Sequence, residues 1–193
     1  MKVINAIKMN AEGFILVGLA YAAIYFLNNY LTDFLYVMPG AHLVHIPSGF
    51  KFLFVMIARW SAALAIAFVS FINAYIVMFQ GDALLDFQLA CASGLAPMLT
   101  WLFFKNQLHI DDNLGNMTFR NILAMGVFFA LLNSSMHQLV LFWYGSQSDF
   151  TQGLFVMAVG DITGLYIVMT FIKFGARFLK KPKPTETGRS SHL

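Results

Sequence analysis

The 33 residues 47–79, PSGFKFLFVMIARWSAALAIAFVSFINAYIVMF, decide how this chain folds. They are apolar almost throughout, interrupted by Lys51 and by the pair Arg59-Trp60. A membrane pass takes about 20 mostly apolar residues, so the stretch is long for one pass and short for two. An arginine beside a tryptophan is typical of the membrane–water boundary. The stretch therefore divides there, into a second pass over 43–58 and a third over 61–79. The second is short and carries Pro47 and Gly49, which predicts a tilted, broken or partly re-entrant helix. Working outward, the first pass runs over 13–31, the fourth over 87–104, the fifth over 122–144 and the sixth over 150–172. The expected fold is all-α: a polytopic bundle of six transmembrane helices over 1–178, followed by a basic, disordered tail over 179–193.

Composition agrees. Of the 193 residues, 59% are hydrophobic and 11% are charged, and mean hydropathy is +0.70. A soluble domain has about a quarter of its residues charged. This excludes a disordered chain, a collagen and a disulfide scaffold, and it argues against a soluble enzyme. The net charge of +3 invites a nucleic-acid reading, but the basic residues sit at the ends of apolar runs and form no patch. The single Cys91 is expected to be a small core residue. Ala20-Tyr21-Ala22 imitates a signal-peptidase site, yet the apolar run continues past it, so the first pass is expected to stay uncleaved.

The basic residues also orient the bundle. With both termini cytoplasmic, the inner segments hold Lys2, Lys8, Arg59, Lys105, Arg120, Lys173, Arg177, Lys180, Lys181, Lys183 and Arg189, eleven of the twelve Lys and Arg. The outer loops hold Asp33, Asp82, Asp86 and Asp149 and no basic residue. Lys51, inside the second pass, is the exception. The tail's Lys and Arg suit anionic lipid better than nucleic acid.

Ionisable and amide groups inside a pass are costly and are the default functional candidates. Here they are Lys51, Asn73, Ser134, His137, Gln138 and Asp161, with Ser93, Ser135, Asn28 and Asn29 as accessories. At about 1.5 Å rise per residue, Asp161 lies roughly 16 Å from the outer end of its pass and His137 and Lys51 roughly 10 Å from theirs. All fall in the outer half of the bundle or near its midplane, which predicts a cavity open to the outside. Each has a structural alternative. Lys51 and Asp161 can neutralise one another, His137 can be a satisfied packing histidine, Asn133-Ser134-Ser135 can join helices, and Asn28-Asn29 can lie at headgroup level. His42 and His45 flank the outer interface, at a spacing too weak to define a metal site. The sequence has no Gly-x-Ser-x-Gly, no His-Glu-x-x-His, no second intramembrane carboxylate and no phosphate loop. No catalytic residue, metal or cofactor is therefore expected.

The stretch His45-Ile46-Pro47-Ser48-Gly49-Phe50-Lys51, with its following apolar run to Asn73-Ala74, resembles the opening of MASE-type membrane-associated sensor domains. Gly160-Asp161-Ile162-Thr163-Gly164 resembles their late Gly-Asp-x-x-Gly helix. The resemblance would cover about 13–178, and it departs in having His45-Ile46 where a tryptophan is usual and in lacking a fused cytoplasmic output domain. It implies a stand-alone sensory module that signals through a protein partner, with Pro47, Ser48, Gly49, Gly160, Asp161 and Gly164 framing the site. A weaker, architectural likeness is to the S components of energy-coupling-factor transporters. The expected function is thus a non-enzymatic inner-membrane protein that binds a small ligand from outside. A transport component and a structural or assembly subunit are the alternatives.

Overall fold

Each long apolar run becomes a helix, and a short polar side chain caps most of the starts. The structure, a computed structural model, describes residues 10–38, 41–78, 82–111, 113–146 and 149–179. Helix α1 (Ala11–Thr32) begins at Asn10, whose side-chain oxygen accepts from the Glu12 N–H at 3.1 Å. Helix α3 (Ala83–Gln107) begins at Asp82, which accepts from Leu85 N–H at 3.0 Å. Helix α4 (Phe119–Trp143) begins at Thr118, which accepts from Asn121 N–H at 3.2 Å. Asp149 does the same for Gln152, at 2.9 Å, at the start of α5 (Phe150–Leu179). Each cap satisfies an N–H that the helix leaves unpaired and is worth about 1 kcal/mol.

Helix α2 (Ile46–Asn73) has Pro47 in its first turn, where no helical N–H is lost. It is not straight. Arg59 sits at φ 52° and ψ −126°, far from helical values. A straight 28-residue helix would set its ends about 42 Å apart, yet His45 before its start and Asn73 at its end line one cavity. The chain therefore turns back at Arg59, giving a descending arm over 46–58 and a returning arm over 60–73, which continues through a π turn (Ala74–Met78). The sequence places a break at Arg59-Trp60, and the structure makes it at Arg59, the one residue of 46–73 with non-helical backbone angles. The reversal is held by Arg59 itself, whose guanidinium lies 3.6 Å from the centre of the Trp101 ring.

The two arms put α2 at the centre of the bundle, packed against α1, α3 and α5 and touching α4. Phe52, Val55, Ala62, Ala65, Ile66, Trp101, Met125 and Phe129 are among the fully buried residues of this core. Phe52 and Phe129 stack at 5.8 Å between ring centres. Small residues set the closest approaches. A methyl group on Gly94 would run into the Ala63 carbonyl oxygen, and one on Gly126 into the Leu165 side chain. Cys91, expected in the core, is half-buried on α3.

Between α1 and α2 a 3-10 turn (Asp33–Leu35) leads into an antiparallel pair of short strands, β1 (Tyr36–Met38) and β2 (Ala41–His42), with Tyr36 opposite His42. Ala41 packs with Val156 and Met157, tying this hairpin to α5.

Five helices are long and apolar enough to cross a membrane. Their outward faces carry large apolar side chains such as Leu16, Leu19, Phe26, Ile57 and Phe171, while Lys51, Asn133, His137 and Asp161 are buried. That inverts the distribution of a protein folded in water and suits a lipid surround. The chain is a multi-pass, all-α membrane protein. The basic segments 1–9 and 180–193, on which much of the expected orientation and the expected tail rest, lie outside the described residues.

Candidate functional site

All the helices deliver polar side chains to the same end of the bundle. The middle of α1 brings Tyr21 and Tyr25. The descending arm of α2 brings Lys51, preceded by His45, and the returning arm brings Ser70 and Asn73. The first half of α3 brings Ser93, the second half of α4 brings Asn133 and His137, and the first half of α5 brings Asp161. Together with His42 of β2 they line a cavity of about 70 Å³.

Glycine explains how α5 reaches this point. A methyl group on Gly160 would collide with the His42 carbonyl oxygen, and one on Gly164 with that of His45. On the facing arm a methyl group on Gly49 would come within 2.9 Å of the Gly164 carbonyl oxygen. Bare backbone on both sides lets the strand-to-helix segment lie directly on α5, where His45 N–H donates to the Gly160 carbonyl at 3.1 Å. Pro47 and Ser48 are buried beside them. The Ser48 hydroxyl lies 2.7 Å from the His45 carbonyl oxygen and 3.0 Å from that of Asp161. The motif residues 47–49 and 160–164 thus form one seam that sets the position of Asp161.

Inside the cavity a chain of hydrogen bonds runs from α2 to α4. The Lys51 ammonium donates to the Ser93 hydroxyl oxygen at 3.3 Å, and that hydroxyl lies 3.1 Å from His137 Nε2. His137 Nδ1 lies 2.8 Å from the backbone carbonyl of Asn133. A carbonyl only accepts, so Nδ1 carries a proton; neutral His137 then accepts at Nε2 from Ser93. Every bond in the chain points the same way, from Lys51 toward α4. On the far side the Asn133 amide donates to Asp161 Oδ2 at 2.6 Å. Lys51 also lies 5.9 Å from the centre of the Tyr21 ring. Among the described residues no direct ion pair joins Lys51 to Asp161. Each is held by neutral groups, with Lys51 4% and Asp161 2% exposed.

Of the residues singled out in the sequence, Lys51, Asn73, His137 and Asp161 meet at the cavity. Ser134 and Gln138 do not line it. They lie on the neighbouring stripe of α4, where the Ser134 hydroxyl donates to the Ala130 carbonyl at 2.8 Å and both polar atoms of Gln138 are buried without a partner. Asn28, an accessory candidate whose structural alternative is a place at headgroup level, is buried; its Oδ1 accepts from the Ile46 N–H at 3.0 Å and so satisfies the first turn of α2. Sequence reasoning misses Tyr21, Tyr25 and Ser70. Tyr21, Tyr25 and Asn28 follow an i, i+4, i+7 spacing, the one sequence signal that puts them on a single inward face of α1. No group of three or more His, Cys, Asp or Glu among the described residues could hold a metal ion. Compared with known protein families, curated proteins and solved structures, the chain matches none.

Proposed function

We propose that this chain is a six-pass bacterial inner-membrane protein with both termini cytoplasmic, which binds a small polar ligand from the outer side and passes its occupied state to a protein partner. The two arms of α2 are then separate passes, in keeping with the reversal at Arg59 and with the Lys and Arg distribution. At the cavity end Tyr30 is 86% and Trp143 88% exposed, as in an interfacial belt. The observation that carries the binding role is the placement of Lys51 and Asp161. Two buried, oppositely charged groups that existed only to neutralise one another would be in contact. Here they flank a space.

The test is thermal unfolding of the purified full chain in detergent against a broad panel of small anions, cations and neutral polar molecules. At least one class should raise the unfolding midpoint, and Asp161→Asn should remove that rise while the variant still unfolds cooperatively. If no panel member shifts the midpoint, the binding reading fails and a structural role remains. Uptake of the active compound into proteoliposomes would move the assignment from sensor to transport component.

A further inference from the structure

Provided that the cavity binds a ligand, as proposed, its lining also specifies which kind. An ammonium has three N–H groups. Among the described residues Lys51 uses one, on Ser93. Beyond Ser93 the hydrogen-bond chain passes to His137 and the Asn133 carbonyl and, among the described residues, returns no second acceptor to the ammonium, whose other neighbour is the Tyr21 ring at 5.9 Å. Lys51 therefore presents unused donors to the cavity that it lines.

The acceptors lie across from it. The Asp161 carboxylate receives a side-chain amide only from Asn133. That bond also fixes the Asn133 amide, because turning it over would set oxygen against carboxylate. Its Oδ1 is then left buried with no partner, although Asn133 lines the cavity. The site thus has a cationic, donating side and an anionic, accepting side. With His137 as the neutral imidazole, the charges of Lys51 and Asp161 cancel.

A ligand with net charge would leave an uncompensated charge in a low-dielectric space, whereas a dipolar one satisfies both sides. The inner part is small: about 70 Å³ is roughly half of the 150 Å³ that admits benzene, room for a charged head group of a few heavy atoms.

We infer that the cavity takes a small zwitterion, with its carboxylate on Lys51 and its ammonium on Asp161 and Asn133 Oδ1. The α-ammonium carboxylate head of an amino acid has this chemistry, and glycine is the smallest example.

The test uses the full chain in detergent at constant ionic strength. Glycine, acetate, methylammonium, glycinamide and N-acetylglycine are compared by isothermal titration. Glycine should bind at least about tenfold more tightly than any of the four that lack one of its charges. Lys51→Met and Asp161→Asn should each bring glycine down to their level. Equal binding of acetate or methylammonium overturns the inference while leaving a binding role intact. Failure of glycine to bind also overturns it, and the broader panel then decides whether the cavity binds anything.

Discussion

The two ends of the bundle are made from the same apolar helices and are held together in different ways. At one end Lys51, Ser93, His137, Asn133 and Asp161 are joined by hydrogen bonds across four helices. Rings meet at both ends, as Tyr25 does with Tyr21 and His45 at the first, and at the other a cation also lies on a ring. Phe103 and Phe104 meet Phe128 at 5.4 Å between centres, and Arg59 lies over Trp101. In lipid there is little hydrophobic drive to bring one helix to another, so helices are joined by close packing. Glycines provide it at the polar end, where Gly160 and Gly164 meet the His42 and His45 carbonyls, and beside that seam a cavity keeps Lys51 and Asp161 apart. At the Arg59 end the pocket beside Asn10, Arg59, Trp60 and Ser61 has no carboxylate or lysine among its described lining residues.

Substitutions at three positions test the contrast, beginning with the largest effect. Gly164→Leu puts a branched side chain into the His45 backbone and forces the seam between α2 and α5 apart. Overpacking of a tight contact costs about 1–3 kcal/mol, and more where the obstacle is backbone. The variant should lose its cooperative thermal transition or unfold far below the parent, and a parent-like midpoint would show that the seam is not closely packed. At the opposite end, Arg59→Gly should be more stable than Arg59→Ala, by about 1–2 kcal/mol. Both lose the contact with Trp101, but only alanine keeps a side chain at positive φ. Helix propensity predicts the reverse order, so comparing the two unfolding midpoints decides whether Arg59 is a reversal or an ordinary helical residue. The smallest effect belongs to Ser134→Ala. Its hydroxyl bonds back to its own helix and lines no part of the cavity. Stability should change by less than about 1 kcal/mol and ligand response should be unchanged. Loss of that response would mean that the neighbouring stripe of α4 takes part.

Much of this is legible in the residues. The apolar runs place the helices, and Pro47, Asp82, Asp149 and Thr118 stand near their starts for local reasons. The cost of burying Lys51, His137 and Asp161 marks them as candidates before any contact is known. The pair Lys51–Asp161 is less legible. Sequence offers mutual neutralisation as the plain alternative, and it has no means of showing that Ser93 and Asn133, on two further helices, are the hydrogen-bond partners of the two charges. Tyr21 and Ser70 give no chemical signal, because a tyrosine or serine in an apolar run is as easily a packing residue.

The sequence by itself determined that the chain lies in lipid and which side chains would be expensive there, since both follow from local composition and from the free energy of transfer. It also located the discontinuity at Arg59-Trp60. Only the tertiary structure decided that a single residue reverses the chain, that Gly160 and Gly164 let backbone rest on backbone, and that the amide of Asn133 rather than the ammonium of Lys51 holds Asp161. Those outcomes depend on which faces of distant helices meet. That is fixed by shape complementarity across the whole bundle, and no stretch of sequence contains it.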